Sequence, residues 1–183
     1  GSGLPDVVVP DFLHRVVEMA IAQARVSPHI NQASGVSVRT SIACLENLVS
    51  AAERRGILTG EQRVVPRVCD LHHMLASTRG KIELMLAEEG DDTEDKLVAS
   101  LIGEAVKAEF DRVADADEYE TIVEQFESGL RLNVGDDVPA EEQVKNFQLV
   151  DGMADATRDL ADRLGFDQSD PQALACVGEF LLE

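Results

Sequence analysis

Residues 38–49 are Val38-Arg39-Thr40-Ser41-Ile42-Ala43-Cys44-Leu45-Glu46-Asn47-Leu48-Val49. Apolar side chains recur there every three or four residues, which is the spacing of one face of an α-helix. Ser37 is a favoured N-cap residue, so the helix is predicted to begin at Val38. Gly56 is predicted to end it, because glycine readily adopts the left-handed conformation of a helix C-terminus. The stretch therefore indicates an amphipathic helix that packs against other helices.

The same spacing recurs along most of the chain and predicts an all-α fold. Leu130, Leu132 and Val134 alternate with polar residues, but over too short a stretch to predict more than a bridge or turn. The sequence has little other strand signal and no internal repeat. Further helices are predicted from Asp11 to before Pro28, over 66–76, over 81–88, from Thr93 through Phe110, over 118–127, after Pro139, over 153–164 and from Pro171 onward.

Arg39 is the candidate site residue, because a cation in the first turn of a helix faces unpaired amides and the positive end of the helix dipole. One interpretation is a surface ion pair with a nearby carboxylate, which contributes little. The other is that an anion lies in front of both the guanidinium and the amides, since each favours a phosphate oxygen. Arg67, near the start of the third helix, repeats this placement in milder form. It is expected to contact nucleotide or a neighbouring subunit, with surface pairing as the alternative.

Arg54 and Arg55 are predicted to lie in the last turn of the second helix. Cations there suit the negative end of the helix dipole, so a capping role explains both residues.

Charge is unevenly distributed along the chain, whose net charge is −19. Residues 1–84 contain 9 Lys/Arg and 8 Asp/Glu, whereas residues 85–183 contain 7 and 27. This predicts two units, a helical domain over 4–88 and an acidic helical domain over 91–183. The acidic half argues against nucleic acid as a partner, because phosphate binding needs a basic surface. Its role is either to keep the surface solvated or to dock a basic partner.

Several kinds of chemistry are not indicated by the sequence. No Gly-x-x-x-x-Gly-Lys-Ser/Thr phosphate loop occurs, and no spacing of His, Cys, Asp or Glu predicts a metal site. No catalytic triad can be argued, so no catalytic residue is assigned. Cys44, Cys69 and Cys176 are odd in number and widely spaced, which favours reduced thiols over disulfides. No apolar run of about 18 residues is present, so no membrane span is predicted.

Both ends of the chain suggest an excised piece of a longer protein. Gly1-Ser2-Gly3 is typical of a cloning remnant. The last predicted helix continues to Glu183 without a stop signal, so the acidic domain is expected to be truncated.

Four motifs occur in order between residues 34 and 84. They are Ser34-Gly35-Val36-Ser37-Val38-Arg39-Thr40, Ala52-Glu53-Arg54-Arg55-Gly56, Val64-Val65-Pro66-Arg67-Val68 and Ser77-Thr78-Arg79-Gly80-Lys81-Ile82-Glu83-Leu84. This set resembles the C-terminal helical lid of AAA+ ATPases of the magnesium-chelatase I-subunit and MoxR-like group, of actinobacterial type. The resemblance continues through Leu132-Asn133-Val134-Gly135-Asp136-Asp137-Val138-Pro139.

The resemblance implies an AAA+ lid followed by an acidic helical extension. In that group the arginine at the position of Arg39 is the residue called sensor 2, which contacts ATP. ATP and Mg²⁺ would then be bound by the full-length ATPase and by no part of this chain alone. The family also implies a cytoplasmic homo-oligomeric ring, an AAA+ core in the same polypeptide and a von Willebrand A-domain partner. An alternative is a helical protein-interaction module that has no nucleotide role and binds through its acidic half.

Overall fold

The computed structural model describes residues 3–31, 36–74 and 91–183, with the backbone alone for residues 91–94. Within these residues the protein is mostly helical, which confirms the all-α prediction. The elements before residue 75 are β1 (Asp6–Val7), α1 (Asp11–Val26), α2 (Val38–Thr59), β2 (Arg63–Val64), α3 (Val68–Leu71) and a 3-10 turn (His72–Met74). The elements after residue 90 are α4 (Asp91–Val113), a 3-10 turn (Ala116–Tyr119), α5 (Glu120–Glu127), α6 (Ala140–Phe147), α7 (Met153–Arg163) and α8 (Pro171–Leu182). The helix predicted over 81–88 lies outside the described residues.

Helix α2 begins at Val38 as predicted, but the prediction that Gly56 ends it is wrong. The helix continues to Thr59, and Gly60 is the left-handed C-cap with φ 76°. Gly56 is buried within the helix, where an added Cβ would lie 2.8 Å from Val64 Cγ1 and 2.9 Å from Pro5 Cγ. The glycine at 56 therefore allows a close approach of two neighbouring segments rather than a turn.

Two short strands, which the sequence did not predict, bring the segments before α1 and after α2 together. β1 and β2 pair in parallel, with Asp6 opposite Arg63 and Val7 opposite Val64. The sequence does not predict these strands because each has only two residues, which is too few to show an alternating pattern.

Helix α3 is shorter than the helix predicted over 66–76. Arg67 is its N-cap, because the Asp70 carboxylate accepts a hydrogen bond from the Arg67 backbone amide at 2.8 Å. The chain changes to a 3-10 turn at His72. Helix α4 already includes Asp91, two residues before the predicted cap at Thr93, a difference within the usual uncertainty of helix ends.

One apolar core connects the two halves of the chain. Helix α1 packs along α4, and α8 packs against α6 and α7. Every residue from Gln172 to Phe180 is buried, so α8 is a central helix. Phe180 contacts both Phe12 of α1 and Phe110 of α4, with ring centroids 4.8 and 5.6 Å apart. The units predicted over 4–88 and 91–183 therefore share one hydrophobic cluster.

A second, smaller cluster lies around α5 and α6. Tyr119, Ile122, Phe147, Val150 and Met153 are its buried members, and Leu130, Leu132 and Val134 pack against it. In the three described stretches of the chain, no helix combines the length and apolar character that crossing a membrane requires.

Candidate functional site

Arg39 lies in the first turn of α2 and its side chain is exposed. Ser37 is in the N-cap position with an extended backbone, but its hydroxyl does not cap a backbone amide. Ser37 Oγ instead lies 3.4 Å from Thr40 Oγ1. The first turn contains no acidic residue. The positive end of this helix therefore carries a guanidinium and lacks the negative group that usually accompanies it.

The expected surface ion pair of Arg39 is not formed with any residue that the structure describes. Its guanidinium donates no hydrogen bond to the described residues, whereas Arg15, Arg63, Arg112 and Arg163 each pair with a carboxylate within 2.8 Å. The Arg39 guanidinium thus has no acceptor among the described residues, whereas the Thr40 amide of the same turn donates to the backbone oxygen of Ser37 at 3.0 Å. A planar cation beside free amides is the donor set that binds phosphate oxygens. Residues 32–35, which precede this helix, lie outside the described residues.

Arg67 is in the interior, with a side chain that is 0% exposed. Its Nη1 donates to the backbone oxygen of Val138 at 2.9 Å, to Gln143 Oε1 at 2.6 Å and to the backbone oxygen of Gly135 at 3.3 Å. These bonds join α3 to α6 and to the loop before it. A nucleotide could reach this guanidinium only after the C-terminal helices moved away, so the placement does not support the predicted nucleotide contact. The alternative, a surface ion pair, is not the arrangement found either.

Arg55 is also buried, and the prediction that it lies in the last helical turn is wrong because α2 continues to Thr59. Its Nη2 donates to Asp70 Oδ2 at 3.0 Å and to the backbone oxygen of Val65 at 2.8 Å. Arg54, its neighbour, is exposed and lies 3.7 Å from Asp136 Oδ2. Adjacent arginines thus have opposite environments, because consecutive helical positions point about 100° apart.

Glu179 of α8 completes this interior cluster, which we call the buried ion cluster and define as Arg55, Arg67, Asp70, Gln143 and Glu179. Glu179 Oε2 accepts from the Cys69 backbone amide at 3.1 Å, and Oε1 accepts from Gln143 Nε2 at 2.8 Å. Arg67 Nη1 lies 3.7 Å from Glu179 Oε1. Sequence reasoning missed these partners, since acidic and amide residues on an amphipathic helix are ordinarily exposed.

Burial and the neighbouring charges shift the pKa values of the two buried arginines in opposite directions. Burial lowers the pKa of Arg55, but the Asp70 carboxylate more than offsets this, so the pKa is raised. Burial also lowers the pKa of Arg67, the positive charge of Arg55 adds to that effect, and Glu179 offsets it only in part. Nε and Nη2 of Arg67 have no acceptor among the described residues. The cluster thus pairs most of its charges within the protein and is closed to solvent.

The cysteines have the character of packing residues. Cys44 and Cys176 are fully buried, and Cys69 is partly buried. Burial raises the pKa of the Cys69 and Cys176 thiols, and the negative charge of Glu179 raises both further. The thiolate is the reactive form, so a raised pKa disfavours reaction at either sulfur. Within the described ranges, no group of three or more His, Cys, Asp and Glu side chains could hold a metal ion.

Two cavities lie beside α5 and the end of α8, one of them next to α4 and the other next to the segment after α5. One has a volume of 460 Å³ and the other 610 Å³. Val123, Leu181 and Leu182 line both of them, so they form two parts of one depression. We call this depression the apolar groove. It is separate from Arg39 and from the buried ion cluster.

Comparisons of the chain with protein-family models, with curated proteins and with solved structures give no match.

Proposed function

We propose that this chain is the helical lid of an AAA+ ATPase of the magnesium-chelatase I-subunit and MoxR-like group. ATP would lie between this chain and the α/β core of the same polypeptide. The motifs in order between residues 34 and 84 support the family assignment. The observation that carries the functional part is the exposed guanidinium of Arg39, which has no described protein partner and lies in the uncapped first turn of α2.

The role proposed for Arg39 is to bind the terminal phosphate. Its planar guanidinium can donate two parallel hydrogen bonds to phosphate oxygens, and it stays charged at any physiological pH. Charge on the terminal phosphoryl group is redistributed during transfer, so a fixed cation at that point lowers the barrier. The same contact would make the lid angle depend on whether ATP or ADP is bound. Arg39 is the one nucleotide-binding residue that we retain in this proposal.

The remaining parts of the proposal follow from the same family resemblance. ATP and Mg²⁺ supply the reacting phosphates and are held mainly by the core, so the chain alone is not expected to bind either one tightly. The full-length ATPase would be a cytoplasmic homo-oligomeric ring that remodels a target with a von Willebrand A-domain partner. A chelatase role and a MoxR-like chaperone or metal-loading role both fit this lid.

The first test is the coding sequence upstream of this segment together with an arginine substitution. A phosphate-binding loop is expected upstream, in the same reading frame. In the polypeptide that contains it, Arg39→Ala should lower ATP turnover or ATP affinity by roughly 10- to 100-fold, which corresponds to a lost hydrogen bond to a charged group. Steady-state ATP hydrolysis against ATP concentration measures both quantities.

Arg158→Ala is a suitable control for this test, because Arg158 is a partly exposed arginine that forms an ion pair with Asp155 in the same helix. It should leave ATP hydrolysis unchanged. Unaltered kinetics in both variants would remove the phosphate-binding role from Arg39, and a missing upstream phosphate loop would remove the ATPase proposal itself.

A second function, a helical protein-interaction module, is favoured by one observation. The apolar groove lies in the acidic half of the chain, where 27 Asp/Glu outnumber 7 Lys/Arg over residues 85–183. An exposed apolar depression in a region where one sign of charge predominates is typical of a surface that binds another protein.

A further inference from the structure

The apolar groove is formed by large side chains from three helices and the segment after α5. Phe110 of α4 and Val123 of α5 line its smaller part together with Leu181 and Leu182 of α8. Phe126 and Leu132 line its larger part. Val123 is half exposed, at 50%, in the part of the groove where the two cavities meet. Contact with an apolar partner would remove these side chains from water, so the groove favours an apolar occupant.

Charge around the groove decides what kind of occupant it can take. Residues 104–131 contain nine Asp/Glu and three Lys/Arg. Two of the three cations are already paired within α4, Lys107 with Asp111 and Arg112 with Glu109, and the third, Arg131, lines the larger part of the groove. On α5, the acidic residues Glu120, Glu124 and Glu127 are exposed and lie within four positions of Val123. An occupant that fills the groove will therefore be flanked by more negative than positive charge.

We propose that the apolar groove docks an amphipathic helix of a partner protein, with Leu-type side chains in the groove and Lys or Arg on its outer face. Helical anchors at i, i+3, i+4 and i+7 suit a groove that lies between helices. Opposite charge around the apolar contact would speed association and set the orientation of the helix. This inference rests on the protein-interaction function proposed above and does not depend on Arg39.

Other occupants are disfavoured by the same charges. A second copy of this chain also has a net charge of −19, and apposing two acidic grooves would cost electrostatic repulsion. Anionic lipid surfaces and nucleic acids are repelled for the same reason. A basic helix is the occupant whose apolar and charged faces both match.

The probe for this inference is a fluorescein-labelled, 14-residue Leu/Lys peptide with its leucines on one helical face. Its anisotropy in a titration with the whole chain should rise with a micromolar dissociation constant. Added salt should weaken the binding several-fold, because it screens the attraction between exposed charges. A peptide of the same composition in scrambled order, and a Leu/Glu peptide of the same pattern, should bind at least tenfold more weakly.

Two matched substitutions separate docking in the groove from general attraction of a cation to an acidic protein. Val123→Glu places a carboxylate in the groove, and Leu149→Glu places one at a 69% exposed position that lines neither cavity. General attraction predicts slightly tighter binding in both variants, since both gain a negative charge. Docking in the groove predicts that Val123→Glu weakens binding at least tenfold while Leu149→Glu does not. Circular dichroism should show that both variants are folded, because both positions are at least half exposed.

Three outcomes would overturn the inference. If the Leu/Lys peptide did not bind, both docking in the groove and the proposed protein-interaction function would be rejected. If the scrambled peptide bound equally well and Val123→Glu did not affect binding, the chain would have an acidic binding surface, but docking in the groove would be rejected. A dimer in sedimentation analysis that Val123→Glu converts to monomer would assign the groove to a second copy of the chain instead.

Discussion

The Asp70 carboxylate pairs with the buried guanidinium of Arg55 and also accepts from a backbone amide at the start of α3. Its oxygens accept from Arg55 Nη2 at 3.0 Å and from the backbone amide of Arg67 at 2.8 Å. Arg55 and Asp70 are both about 1% exposed. Bringing such charges out of water is costly, and only mutual pairing offsets the cost. The main effect of the Asp70 carboxylate is therefore that the buried charge of Arg55 has a partner. The attraction between the two groups by itself adds little to the stability of the fold.

Asp70→Asn tests this at the scale of one residue. The amide has nearly the same shape but no charge, so Arg55 would remain buried without its counter-ion. The free energy of unfolding should fall by about 3–5 kcal/mol, the usual effect of breaking a buried ion pair. Urea unfolding at pH 7 measures it.

The control for Asp70 is Asp155→Asn, because Asp155 is 88% exposed and pairs with Arg158 at the surface. That change should alter stability by less than about 0.5 kcal/mol. Equal unfolding midpoints for the two variants would contradict the role given to Asp70.

The sequence predicts the exposed placement of Arg39 well and the buried placement of Arg67 poorly, because the first depends on local residues and the second on distant ones. The placement of Arg39 depends on Ser37 and on the apolar spacing just after it, which are local. The placement of Arg67 depends on Gln143, 76 positions away, and on Glu179. Side chains from such distant segments show no pattern in one sequence, and an arginine in the interior has the same chemical identity as one at the surface.

At the scale of elements, apolar spacing predicts the long helices and glycine marks their ends less reliably. Helices α1, α7 and α8 match their predicted ranges to within about two residues, since α1 and α7 each bury one regular apolar face and α8 is apolar along most of its length. Gly56 was misassigned because a glycine can serve either a turn or a close contact. Its neighbours Pro5 and Val64, which decide between these, belong to the pair β1–β2 that the sequence did not predict.

Gly178 provides a test at this scale, where α8 crosses α6. A Cβ added at Gly178 would overlap the ring of Phe147, which is itself buried. Gly178→Ala should therefore lower the free energy of unfolding by about 1–3 kcal/mol, even though alanine is the better helix former. Thermal and urea unfolding measure the change.

Gly103→Ala is the matched control, because Gly103 lies on the exposed side of α4 and an added Cβ would contact nothing within 4 Å. That variant should be more stable by about 0.5–1 kcal/mol, since alanine restricts the unfolded chain and favours the helix. If Gly178→Ala were stabilised as well, the close crossing of α8 and α6 would be disproved.

At the scale of the whole molecule, ion pairs join segments that the charge split of the sequence had suggested were separate units. Arg15 of α1 donates to Glu109 of α4 at 2.7 Å, and Arg63 donates to Asp170 at 2.7 Å. The balance of charge along the sequence does predict an acidic surface. It does not predict which carboxylates are buried between helices, because that depends on how α1 and α4 pack.

The packing of α1 against α4 can be tested through Glu109, because the contribution of this residue to stability depends on pH. Its side chain is 0% exposed and accepts hydrogen bonds from both Arg15 and Arg112. Burial alone would raise the pKa of Glu109, but the hydrogen bonds and charges of Arg112 and Arg15 outweigh it, so the pKa is lowered. A carboxyl whose pKa is lower in the folded state stabilises the fold above its unfolded pKa. That stabilisation is lost as the pH falls through the folded pKa.

Glu109→Gln should therefore lower the free energy of unfolding by roughly 1–2 kcal/mol at pH 7, an amount reduced by the partial exposure of both arginines. The gap between wild type and variant should narrow as the pH falls below about 4.3, the ordinary pKa of glutamate. Urea unfolding at a series of pH values measures this difference in the free energy of unfolding.

Acidification also relieves repulsion among the many carboxylates. It does so in both proteins, so the difference between them isolates the effect of Glu109. Glu104→Gln, at an exposed position of α4, is the matched control and should change the free energy of unfolding by less than about 0.5 kcal/mol at pH 7. A gap for Glu109→Gln that stayed constant down to pH 3 would mean that its carboxylate does not hold α1 and α4 together.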